Sequence, residues 1–218
     1  MEIQQKSDFA SQLLNWYDKS ARVLPWRSDP TPYKVWVSEM MLQQTRVDTV
    51  IPYFLRFVTE LPSVSALANV SEERLLKLWE GLGYYNRVRN MKKTAELLIS
   101  QHQGEIPHTK EELLLLPGIG PYAAGSIASI AFGVCTPAVD GNVLRVMARI
   151  EALNADLTSS MNKKAISDLV LSFIPASRAG DFNQALMDLG ATICLPNGKP
   201  DCVHCPVRSF CQADQQDL

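Results

Sequence analysis

The sequence predicts an all-α protein. Apolar residues recur at helical spacing along nearly the whole chain, and no segment alternates apolar and polar residues with period two between turn signals. A Pro-Gly-Ile-Gly turn at 117–120 also joins two apolar helical runs in a hairpin. The 218 residues suffice for one large domain or two small helical ones, and a hydrophobic fraction of 46% suits a folded chain.

Taken in order, Phe9, Leu13, Leu14 and Tyr17 share one face of a first helix. Asp29-Pro30-Thr31-Pro32 opens a second, whose apolar positions include Val35, Trp36, Met40 and Met41. Further helices are predicted over 47–59, 72–79, 86–101, 109–116, 121–132, 142–152, 160–173 and 180–193. The last seven residues, from Gln212, are polar and are expected to fray. Ala123 to Val139, the least polar long stretch, is broken by Gly, Ser and Pro and is too short to span a bilayer. It reads as a buried helix plus a turn. No membrane association is expected. The N-terminus pairs no basic start with an apolar run, so a signal peptide is not expected and a cytoplasmic location is.

A net charge of −2 weighs mildly against a nucleic-acid partner, because phosphate contacts come from Lys and Arg. Basic residues can still gather on one face. Arg87, Arg89, Lys92 and Lys93 are such a group, readable as a phosphate-binding patch or as a solvated helix face.

Four of the five cysteines crowd the C-terminus: Cys194, Cys202, Cys205 and Cys211, separated by seven, two and five residues. In a reducing compartment such spacing suits metal ligation better than disulfides. Zinc ribbons present two short Cys-x-x-Cys pairs, and only one exists here. One such pair in a wide loop, with Pro206 after Cys205, suits a four-thiolate iron–sulfur cubane better. Zinc, disulfides and free thiols remain the alternatives. His204 reads as a loop residue and Cys135 as a small buried hydrophobe. A cluster here would fold a loop that buries little surface and present Lys199 and Arg208 to phosphate.

Pro117, Gly118, Ile119 and Gly120 separate two helical runs, and the second helix begins near Pro121, where free amides attract phosphate. A plain tight turn explains Gly-x-Gly equally well. Asp140 in Val139-Asp140-Gly141-Asn142-Val143 precedes a helix, where amide dipoles favour an ionised carboxylate. Its bland reading is an N-cap. Glu39 lies among Trp and Met in Val35–Leu42; desolvation there would raise its pKa towards neutrality and suit a general acid. The alternative is a Glu on a solvent-facing side.

Together these segments resemble a known family. Leu24-Pro25-Trp26-Arg27, Ser38–Thr45, Gly81-Leu82-Gly83-Tyr84-Tyr85, Leu116–Gly120, Val139–Val143 and the four cysteines resemble, in order, the motifs of the MutY adenine DNA glycosylases. The resemblance runs from about residue 8 to residue 211. It implies two helical lobes around a DNA-binding cleft, a helix-hairpin-helix motif and a C-terminal [4Fe-4S] loop. The expected divisions are 28–134 for a six-helix lobe, 1–27 with 135–193 for the cluster-side lobe, 194–211 for the loop and 212–218 for a tail.

The resemblance also implies roles. Glu39 matches the acid that protonates the adenine at N7, and Asp140 the carboxylate that stabilises the cationic sugar, with Asn142 holding it. The logic is that of sugar hydrolases. Tyr122 would line the base pocket, with Trp26 and Arg27 near the extruded adenine. Gln44 and Tyr84 match residues that enter the duplex, although paired tyrosines after Gly-x-Gly are more often core. Endonuclease III-like enzymes carry a nucleophilic lysine where Tyr122 stands, so a monofunctional enzyme is implied. The interval between Cys194 and Cys202 is one residue longer than the family's six, with an extra turn at Pro196-Asn197-Gly198. MutY proteins continue beyond the last cysteine into a Nudix-like C-terminal domain, and these 218 residues are expected to be either a fragment or a short form. A monomer acting near the nucleoid on duplex DNA with a mispaired adenine is expected. The rivals are a thymine-mismatch glycosylase and a noncatalytic damage-binding module; Gln43-Gln44 favours adenine.

Overall fold

A computed structural model describes all 218 residues; its regular structure is helical, with no strands. The helices are α1 (Ile3–Ser20), α2 (Pro25–Ser28), α3 (Pro32–Leu42), α4 (Val47–Glu60), α5 (Val64–Asn69), α6 (Glu72–Trp79) and α7 (Asn86–Gln101). They continue as α8 (Lys110–Leu113), α9 (Pro121–Phe132), α10 (Gly141–Ile150), α11 (Ser160–Leu171), α12 (Ala179–Thr192) and α13 (Gln212–Gln215). No helix is long and apolar enough to cross a membrane.

Their starts follow local chemistry. Thr31, Ser63, Ser71, Thr109 and Asp140 each accept a backbone N–H of their helix's first turn, and Pro25 and Pro32 begin helices where no amide is needed. The hairpin's first helix is shorter than the expected 109–116. After Leu113 the chain tightens through Leu115 N–H to Glu112 O and Leu116 N–H to Leu113 O, because Pro117 disfavours helical backbone before it. Two short helices escaped the periodicity, α2 and α5, since four and six residues give too little pattern to read. The tail is also more ordered than expected: α13 starts at Gln212 and buries Ala213.

The chain divides into two compact units, Val23–Phe132 and Met1–Arg22 with Gly133–Leu218. The first carries α2 to α9, with α2 and α5 added to the six helices expected there. It begins at 23 rather than 28 because Trp26 of α2 packs edge-to-face on Phe54 of α4, with ring centroids 5.3 Å apart. Its centre is α3, which packs on α4 and α9 and is buried on every side from Val35 to Met41.

The second unit joins the two ends of the chain. Phe9 of α1 meets Phe173 and Phe210 at centroid distances of 5.0 and 5.7 Å. Arg22, just after α1, pairs at 2.6 Å with the fully buried Asp188 of α12. Buried Asn183 of α12 accepts from Ala138 N–H at 3.0 Å and donates to Thr136 O at 2.9 Å, fixing the strap that leads into α10.

Candidate active site

In the first unit the acid lies on α3. Glu39 is only 5% exposed, because a helix with apolar neighbours all round has no solvent face to offer it. The exposed-face alternative is thereby removed. Tyr122 stands half-buried in the first turn of α9. The hairpin before it is anchored by Thr94 Oγ1 of α7, which donates to Pro117 O at 3.0 Å. Gly118 has φ +79°, and a Cβ there would lie 2.8 Å from Asn90 Cβ, so both backbone and space demand glycine. Gly120 meets neither demand. Trp26 is buried against Phe54 and Arg27 is half-buried beside it.

Gln44 and Tyr84 are exposed, Tyr84 at 64%, so this tyrosine is not core. Both have left-handed backbone, φ 56° and 48°, which is uncommon for residues bearing a Cβ. Between them lies a residue with a different role from the one its sequence context suggested. Arg87 is not part of a basic patch: it is buried, and its guanidinium donates to carbonyls on both segments. Burial pulls its pKa down from the ordinary arginine value. Two other members of the supposed patch are also committed. Arg89 pairs with Glu72 at 3.0 Å, and Lys92 donates to Ala68 O and Val70 O at the end of α5. Lys93 is exposed. The patch reading fails because Arg87 and Lys92 are turned onto neighbouring backbone and Arg89 onto an acidic side chain.

In the second unit Asp140 caps α10. Its Oδ1 accepts from Val143 N–H at 2.8 Å and its Oδ2 from Asn142 Nδ2 at 2.8 Å. Asn142 is held in turn: Arg145 Nη2 donates to Asn142 Oδ1 at 3.0 Å and to Gly190 O at 2.7 Å. Arg145 Nε donates to Cys194 O at 2.9 Å, so one guanidinium ties the carboxylate's partner to the cysteine loop. The N-cap reading and an oriented carboxylate are thus the same geometry. α12 can approach so closely only through Gly190, where a Cβ would sit 2.6 Å from Asn142 Cβ and 3.1 Å from its Cα. Gly190→Ala is expected to lower stability by about 1–3 kcal/mol in denaturant unfolding. That loss should shrink in an Asn142→Gly background; equal losses in both backgrounds would break the steric explanation.

Cys194, Cys202, Cys205 and Cys211 line one cavity of about 830 Å³ together with Val146, Ile150, Leu189 and Val207. No three His, Cys, Asp or Glu side chains converge to hold a single ion. Arg149 Nη1 donates to Cys194 Sγ at 3.1 Å, and Cys211 Sγ lies 3.5 Å from Arg149 O. Burial pushes the Cys205 thiol up to about 11, and the facing cysteines push the same way. His204 is turned to Asp201 at 2.8 Å on the loop surface. Arg208, expected to face phosphate, is paired with Asp214 at 2.8 Å. Cys135 is exposed rather than buried, because it follows the end of α9 in an open turn.

Arg145, Asn183 and Gly190 were missed in the sequence, and Arg87 was read there only as one of a basic group. For Arg87 a signal existed: with Met91, Thr94, Ala95 and Leu98 it falls on the buried stripe of α7. Nothing comparable marks Asn183 or Gly190.

Residues 37–170 match the family model described as HhH-GPD superfamily base excision DNA repair protein. The chain is 48% identical over 217 residues to the adenine DNA glycosylase of Mus musculus, covering 95% of this chain and 42% of that protein. It is 45% identical over 224 residues to the human protein of the same name, with 99% and 41% covered. The chain thus spans less than half the length of these relatives. Among solved structures, a thermostable thymine-DNA glycosylase superposes with a TM-score of 0.88 at 27% identity, covering 98% of each chain. An endonuclease III–DNA covalent intermediate superposes at 0.80 and 22% identity, covering 100% of this chain and 99% of that one, a likeness of fold.

Proposed function

Because the chain belongs to the HhH-GPD superfamily of base excision DNA repair proteins, we propose that it is a monofunctional adenine DNA glycosylase. It hydrolyses the N-glycosidic bond of an adenine mispaired with 8-oxoguanine or guanine in duplex DNA. One contrast supports this reading: two carboxyls in opposite environments, Glu39 sealed inside α3 and Asp140 held at the positive end of α10 by two donors. That contrast suits an acid that keeps its proton and an anion that has lost it.

In this mechanism Gln44 and Tyr84 enter the duplex as the adenine leaves the stack, an expense of a few kcal/mol that stacking partly offsets. The amides opening α9 and the hairpin Pro117–Gly120 take a phosphate. Trp26, Arg27 and Tyr122 line the base pocket. Glu39 gives its proton to N7, and the C1′–N9 bond breaks with its electron pair going to the base. Asp140, oriented by Asn142, stabilises the cationic sugar until water adds at C1′ and sheds its proton. Adenine and an abasic site are the products, and the protein works as a monomer.

No side-chain amine stands at Tyr122, so borohydride should trap no protein–DNA adduct during turnover; a strong trapped complex would contradict monofunctional chemistry. The deciding experiment compares base release from duplexes bearing A opposite 8-oxoguanine, A opposite G, and T opposite G. Adenine release is expected. Thymine release without adenine release would favour the second reading, whose support is the close superposition on a thymine-DNA glycosylase. Relatives named adenine DNA glycosylase, at up to 48% identity, favour the first.

The cysteine loop fits a [4Fe-4S] cluster held by Cys194, Cys202, Cys205 and Cys211. Four thiols lining one cavity suit a group in which each iron takes one thiolate. When bound, the cluster cross-links a loop that has little apolar surface of its own. Arg149, itself lining the cavity, hydrogen-bonds the Cys194 sulfur, and Arg145 holds the carbonyl of the same residue. Oxidative removal of the cluster is expected to weaken duplex binding about 10-fold or more while helix content by circular dichroism stays nearly constant. Unchanged binding after clean removal would discard that role.

A further inference from the structure

We propose that Arg87 is a positioning residue that locks the segments carrying Gln44 and Tyr84 into one rigid, two-pronged wedge for base extraction. The inference deepens the glycosylase reading and rests on it.

The hydrogen bonds carry the argument. Arg87 Nη1 donates to Met40 O at 3.1 Å, Met41 O at 2.9 Å and Gln43 O at 2.5 Å, the carbonyls that end α3 and lead to Gln44. Arg87 Nη2 donates to Leu82 O at 3.0 Å and Gly83 O at 3.3 Å, the carbonyls just before Tyr84. Both nitrogens reach Thr45 Oγ1, at 3.4 and 3.3 Å, closing the far side of the first segment. The guanidinium carbon lies 5.4 Å from the Trp79 ring on one side and 5.4 Å from the Tyr84 ring on another. A planar fork with donors on both arms can bridge two chain segments in a fixed geometry, which an ammonium on a flexible stem cannot.

Every acceptor is an uncharged oxygen, so the buried charge is balanced by carbonyl dipoles from both prongs and the C-terminal end of α3. That makes the prongs interdependent: moving either one leaves a buried cation short of acceptors. Each prong also ends in an exposed, non-glycine residue with left-handed backbone, Gln44 and Tyr84. Such backbone persists only where its surroundings over-determine it, and the Arg87 bonds do so at the peptide groups next to each. A prong already rigid before it meets DNA loses less freedom on insertion, so more of its contact energy goes into displacing the base.

The test separates extraction from general stability. Excision is measured with adenine mispaired in a duplex and with adenine in a single-nucleotide bulge, where it is already poorly stacked. Unstacking is followed by the fluorescence of 2-aminopurine in place of the mispaired adenine. Arg87→Met should lower excision from the mispair about 10- to 100-fold. Its loss on the bulge should be at least ten-fold smaller, and the fluorescence rise should be lost. Combining Arg87→Met with Tyr84→Ala should add little to Tyr84→Ala alone. Arg87→Lys, which keeps the charge and the fold if Met does not, should lose excision from the mispair in the same selective way. Equal losses on both substrates, additive losses in the double variant, or wild-type extraction by Arg87→Lys would overturn the inference alone. A wild-type protein that releases adenine from neither substrate would overturn the glycosylase reading beneath it.

Discussion

Asp140→Asn is expected to reduce base release by about 10³-fold while duplex affinity stays within a few-fold of wild type. The reason is in how the side chain is held. One oxygen caps α10 through Val143 N–H, and an asparagine can keep that bond with its carbonyl. The other oxygen accepts from Asn142 Nδ2. An amide would there meet a donor with a donor, and the negative charge that the proposed mechanism needs would be gone. Fold and binding surface are kept; the anion is not. Single-turnover release and a gel-shift titration on the same mispaired duplex measure the two quantities. Retention of release within about ten-fold of wild type would remove Asp140 from the chemistry. Asp140→Ala makes a useful companion, since it should also lose about 1 kcal/mol of cap stability that the asparagine largely keeps.

Glu39→Gln is expected to lower release by about 10²–10⁴-fold, the range for losing a general acid. Glutamine has the size of a protonated glutamic acid and no charge, so α3 should accept it without repacking. The amide cannot surrender a proton to the departing base. Thermal unfolding should therefore remain near wild type while turnover collapses. A variant that unfolds early would point to a structural role for the carboxyl, and a variant that keeps turnover would assign the proton to another group. Combining Glu39→Gln with Asp140→Asn should give less than the product of the single losses, as expected of two groups proposed to act on one bond-breaking step.

Much of the architecture could be read from residue order. Apolar spacing located α4, α6, α7, α9 and α12 nearly to the residue, and the caps at Thr31, Ser71 and Asp140 lie where short polar side chains precede apolar runs. α5 was missed because a six-residue helix shows hardly more than one turn of pattern. Cys135 was expected inside because its neighbours are apolar, yet an open turn after α9 exposes it. The basic group at 87–93 misled for the opposite reason: Arg87 and Lys92 bond to backbone oxygens and Arg89 pairs with Glu72, which leaves Lys93.

Residue order alone showed where most of the longer helices lie, which four thiols could share one loop, and which family's motifs the chain carries. Those signals lie in side chains a few positions apart, where capping, periodicity and ligand spacing operate. Only packing in three dimensions decided that Glu39 has no solvent face, that Arg87 bridges two distant turns, and that Arg145 joins the Asp140–Asn142 pair to Cys194. Each of those depends on carbonyls or apolar surfaces brought from segments tens of residues away, and on how deeply they exclude water. Burial is what sets this arginine and this glutamate apart from ordinary surface ones, and burial is a property of neighbours that the linear chain does not place side by side.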